Sequence, residues 1–69
     1  MEIYKVFEKT RFGDAHVSYW LSNEKAESER QRLMDKELDY IKFQNNGSLP
    51  IKKEDLEEYY QIKPIMVNE

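Results

Sequence analysis

His16 is the only histidine of the chain and cysteine is absent, so a transition-metal site would draw most of its ligands from carboxylates, none of which stands at a diagnostic spacing. A lone imidazole acting as a general base needs an oriented partner and a nucleophile. No triad-like grouping supplies them, and a solvated histidine on a polar strand face is expected. Asp35 and Asp39 are four apart, as helical acid and base carboxylates would be, but Arg32 and Lys36 stand beside them and predict a salt-bridged exposed face. Gly13 and Gly47 are isolated, and no P-loop, dinucleotide fingerprint, nucleophile elbow or EF-hand pattern occurs. The residue chemistry predicts a protein that is not an enzyme and holds neither cofactor nor metal. What remains is binding chemistry: Ile3, Phe7 and Trp20 among Lys5, Lys9 and His16, and the acidic cluster Glu54, Asp55, Glu57 and Glu58.

The elements that would position these groups follow from local pattern. Residues 2–10 are rich in β-branched and aromatic types, and Ala15 to Leu21 alternates at period two, so both read as strands. Arg11-Phe12-Gly13-Asp14 joins them as a hairpin turn, with Gly13 supplying a positive φ. A four-residue loop pairs Thr10 with Ala15 and a two-residue loop pairs Phe12 with Ala15. In either register, even positions of the first strand share a face with odd positions of the second. That parity assigns Tyr4, Val6, Ala15, Val17, Tyr19 and Leu21 to a core face. It assigns Ile3, Lys5, Phe7, Lys9, His16, Ser18, Trp20 and Ser22 to the opposite, mixed face.

Ser22 or Asn23 caps a helix running to about Phe43, whose stripe is Ala26, Leu33, Met34, Leu38 and Ile41, interrupted by Arg30 and Glu37. A helix of this length overhangs a sheet of seven- or eight-residue strands. Asn45-Asn46-Gly47 ends it, and Leu49-Pro50 follows as an extended connection. Residues 52–60 fit a short second helix through Leu56, Tyr59 and Tyr60, although Glu57 to Tyr60 also fits the opening of the last strand. Residues 61–67 form that strand, placed at the sheet edge by Pro64, which has no amide to donate. The expected architecture is one α+β domain over residues 1–69. It is a ββαβ chain with a three-stranded antiparallel sheet of order 2-1-3, packed on one long helix.

Composition limits the functions. At 69 residues and 39% hydrophobic content the chain can bury one small core, and the longest apolar runs, such as Ile65-Met66-Val67, are too short to span a membrane. The start Met1-Glu2-Ile3-Tyr4-Lys5 lacks a secretory pattern, so a soluble, unprocessed, cytoplasmic chain is expected. The net charge of −3 argues against duplex DNA or anionic membranes as main partners.

If one long helix covers one side of the sheet, the mixed face stays open as an aromatic patch for a protein partner or a second copy. The competing expectation is that the 52–60 helix folds over Trp20 and closes a second core layer. Single-stranded nucleic acid stacking on the aromatic and lysine face is a less favoured alternative, because residues 1–20 carry three basic and three acidic side chains. Residues 47–69 hold five acidic against three basic side chains, a cluster that could mimic a phosphate backbone toward a basic groove.

Tyr4-Lys5-Val6-Phe7-Glu8, then Tyr19-Trp20-Leu21-Ser22-Asn23-Glu24-Lys25-Ala26-Glu27, and later Tyr59-Tyr60-Gln61-Ile62, span most of the chain. This layout resembles short uncharacterised accessory proteins encoded by phages and prophages. The resemblance carries over no functional residues. It implies a phage protein that binds and inhibits a larger host protein, either an enzyme or a defence complex such as a CRISPR nuclease.

Overall fold

The computed structural model describes residues 1–48 and 50–68. Strand β1 (Glu2–Thr10) and strand β2 (Gly13–Trp20) form the opening hairpin, helix α1 (Asn23–Gln44) and helix α2 (Lys53–Tyr59) follow, and strand β3 (Tyr60–Met66) closes the chain. The sheet is antiparallel with order β2-β1-β3, so β1 is central and β3, with Pro64, lies at an edge. Fold class, strand order and the extra helix agree with the sequence expectation. The boundary left open resolves with Tyr59 ending α2 and Tyr60 opening β3. Of the connection expected at Leu49-Pro50, Leu49 lies outside the described residues.

The turn has two residues, as in one of the loops expected from sequence, but lies two residues earlier. Thr10 pairs with Gly13, leaving Arg11 and Phe12 as the loop, and the positive φ of 117° falls on Gly13. The Thr10 hydroxyl donates to the Gly13 carbonyl at 2.6 Å and accepts from the Phe12 amide at 3.2 Å, which satisfies the turn locally.

The face assignment holds near the turn and fails beyond it. Glu8 pairs with Ala15, as the parity argument requires, but Val6 pairs with Ser18 and Tyr4 with Trp20. A bulge intervenes, in which Phe7 faces two residues of β2, and His16 there adopts a φ of +52°. The extra residue reverses every later side chain of β2. Trp20 and Ser18 therefore lie on the helix side with Val6, whereas Val17 and Tyr19 point away and are 42% and 59% exposed. Leu21, also expected in the core, is 71% exposed. Ala15 and Trp20 have opposite parity, so a regular strand cannot turn both inward, and the bulge lets it do so.

A left-handed φ at a residue with a Cβ costs about 1–2 kcal/mol. His16→Gly should thus leave stability unchanged or raise it by up to about 1 kcal/mol, while the β-branched His16→Val should lower it by about 1–2 kcal/mol. Urea melts of the two variants test this, and a stabilising valine would mean that β2 pairs without the bulge.

Helix α1 begins where Ser22 Oγ accepts from the Lys25 amide at 3.1 Å, with Glu24 in the first turn at the positive dipole end. It ends where the Gly47 amide reaches the Lys42 carbonyl at 2.7 Å, with Asn46 and Gly47 both at positive φ. Its stripe behaves as its composition suggests: Ala26 and Met34 are buried and Leu33, Leu38 and Ile41 are half-buried, whereas Tyr40 and Phe43, outside the stripe, are exposed. Met34, Leu56 and Tyr60 form the centre of the core, with Leu33, Leu38 and Ile51 packed around them. Helix α2 thus sits on the same side of the sheet as α1. It covers none of the opposite face, which corrects the expectation that it folds across to close a second layer, and Tyr59 is exposed.

Candidate functional site

The side of the sheet away from the helices carries odd positions of all three strands. Ile3 stands opposite Ile65, Lys5 between Tyr19 and Lys63, and Phe7 opposite Gln61, with Val17 and Lys9 completing the surface. No helix of the described residues covers this face, on which Lys5 of the central strand stands among Ile3, Phe7 and Tyr19, with Lys9 at the hairpin end and Lys63 on the β3 edge.

Phe7 is nevertheless only 8% exposed, and a charged side chain lies over its ring. Lys5 extends along the strand, places its Nζ 4.8 Å from the centre of the Phe7 ring, and donates to Asp14 Oδ2 at 2.6 Å. The butylene stem and the cation together shield the ring. The Asp14 carboxylate, through that hydrogen bond, raises the Lys5 ammonium above its usual pKa.

The remaining sequence candidates are not assembled here. Trp20, expected beside Phe7, lies on the helix side, where its indole Nε1 donates to Ser18 Oγ at 2.7 Å. It lines an open groove of about 470 Å³ with Ser22, Lys25, Ser28, Glu29 and Arg32 of the α1 approach and first turns. Arg32 is ion-paired with Glu29, so the two charges there satisfy each other.

His16, also expected on the mixed face, instead borders a cavity of about 290 Å³ on the helix side with Lys36, Glu37, Tyr40 and Tyr60. Burial, followed by the nearby Glu8 carboxylate, pushes the Tyr60 phenol far above the usual tyrosine value. The folded pKa exceeds the unfolded one, so this group's contribution to stability is complete below about pH 10 and declines as pH rises past that. Among the described residues no group of His, Asp and Glu suited to a metal ion occurs.

Glu54, Asp55, Glu57 and Glu58 are all exposed, but on α2 they are separated by the sheet from the open face and cannot act with it as one surface. Asp55 also has a structural task, its carboxylate accepting the Lys52 amide at 3.1 Å to cap the helix.

Sequence reasoning missed Val17, Tyr19, Lys63 and Ile65 as members of the open face. The last two were legible from the alternation of β3 once its pairing with β1 is drawn. Val17 and Tyr19 were hidden by the bulge. Comparison with protein families, with curated proteins and with solved structures finds no match. Among the described residues no helix is long and apolar enough to cross a membrane.

Proposed function

We propose that this chain is a non-enzymatic binding module that docks on a larger protein through the open sheet face and modulates it by occupying its surface. The observation that carries the reading is the absence of any helix over Ile3, Phe7, Val17, Tyr19 and Ile65, three strands' worth of apolar side chains in a domain with little to spare. The resemblance of the strand and helix-start layout to phage and prophage accessory proteins suggests the partner class, a host enzyme or defence complex in the host cytoplasm.

The arrangement weighs against single-stranded nucleic acid. A stacking platform needs several exposed rings. Phe7 lies under Lys5, Trp20 is on the other side, and Tyr19 alone offers its ring on this face. Self-association through the same face is the second reading, favoured by the exposed Val17 and Tyr19, and it predicts sedimentation that changes with concentration.

Val17→Asp and Tyr19→Asp place a charge on the exposed β2 side of the face without touching the core. Each should weaken binding of the protein partner by at least tenfold, the effect of burying an unpaired charge in an interface, while the thermal melt stays within a few degrees of the parent. Retained binding in both variants would remove the open face as the docking surface.

A further inference from the structure

Resting on the reading of the open sheet face as the docking surface, we infer that its partner presents an apolar segment flanked by carboxylates, in the manner of an acidic amphipathic helix. The charge distribution carries this. On a chain of net charge −3, the described residues that the register assigns to this face hold three lysines, Lys5, Lys9 and Lys63, against one aspartate, Asp14.

Lys5 and Lys63 stand directly opposite each other on neighbouring strands, an arrangement that is unfavourable in an isolated sheet. Asp14 neutralises Lys5, whereas Lys9 and Lys63 have no ion-pair partner among the described residues. The two lysines border the apolar side chains at different margins, Lys9 beyond Phe7 at the hairpin end of β1, opposite Asp14, and Lys63 beside Ile65 on the β3 edge. Carboxylates flanking an apolar ridge would meet both Lys9 and Lys63.

A second copy docked face to face would bring the same basic rim against itself, which charge complementarity opposes. A nucleic acid strand would meet the negative requirement, but Ile3, Val17 and Ile65 have no π face on which a base can stack.

The test is an NMR titration of the isotopically labelled chain with two synthetic 18-residue amphipathic helices sharing one leucine stripe, one flanked by glutamates and the other by lysines. A thymidine oligonucleotide serves as the third probe. The glutamate peptide should shift the amides of Ile3, Phe7, Tyr19 and Ile65 and bind at least tenfold more tightly than the lysine peptide. Lys9→Glu and Lys63→Glu, both at exposed positions, should each weaken it about two- to fivefold with the spectrum of the free chain otherwise preserved. Equal binding of the two peptides to this face, or tighter binding of the oligonucleotide, overturns the acidic-partner inference and leaves the face as an interface. Shifts confined to other residues, or no shifts with any probe, overturn the docking reading itself. Shifts of these amides on concentrating the chain alone assign the face to a second copy and overturn the inference.

Discussion

Met34→Ala is expected to lower the stability of the domain by about 2–5 kcal/mol and to leave much of the chain unfolded at physiological temperature. Met34 has no exposed surface and lies between Leu56 of α2 and Tyr60 of β3, so it is where the long helix, the short helix and the sheet edge share one core. Truncation removes the burial of the side chain and leaves a void lined by residues on three separate elements, which cannot all close in together. The whole stability of a chain this short is on the order of 3–5 kcal/mol, comparable to the loss.

Two other truncations give the ranking that makes the expectation specific. Trp20→Ala should cost less, because the indole is half-exposed beside an open groove, and Tyr19→Ala, on the bare face, should cost no more than about 0.5–1 kcal/mol. Chemical denaturation followed by circular dichroism measures all three. If Tyr19→Ala proved as damaging as Met34→Ala, the supposedly open face would be part of a core, as in an obligate oligomer, and the functional reading would fall with it.

The second large effect is expected at Arg30, which should cost about 2 kcal/mol when replaced by alanine. Its Nε donates to the Tyr60 carbonyl at 2.6 Å and its Nη2 donates to the Glu57 carbonyl at 3.1 Å, so one guanidinium of α1 holds the junction at which α2 ends and β3 begins. The last carbonyls of a helix have no partner within it, and charge-assisted bonds to them are worth about 1.5–3 kcal/mol. Arg30→Lys should recover only part of the loss, because an ammonium cannot present the same two-pronged geometry to two acceptors. Hydrogen exchange supplies the local readout: in Arg30→Ala the amides of α2 should exchange faster relative to those of β1. A variant within 0.5 kcal/mol of the parent, with α2 protection unchanged, would show that the junction is held by Leu56 packing alone.

Arg30 also shows what pattern reading could and could not recover. From sequence it interrupts the apolar stripe of α1 and marks a poorly buried helical half. In the structure the same interruption is a specific bond to the chain's last third, 27 and 30 residues away. Helical periodicity identifies which side of α1 Arg30 occupies but holds no information about carbonyls so distant in sequence. The open sheet face was legible to a similar depth. Ile3, Lys5, Phe7 and Lys9 were placed together correctly, since β1 alternates regularly, whereas His16 and Trp20 were assigned to the wrong side.

The amino-acid sequence alone determined the elements and their order, because each boundary is a short-range matter: the Ser22 cap, the Asn46-Gly47 exit, and the missing amide of Pro64 that suits only an edge. Which side chains face the helices was decided by the tertiary structure. A strand's pleat transmits a single inserted residue to every position after it. Whether to insert one at His16 depends on whether Ala15 and Trp20 both gain burial against elements that come later in the chain. That energy difference belongs to the packed molecule, and with it the identity of the aromatic ring exposed on the open face, Tyr19 rather than Trp20.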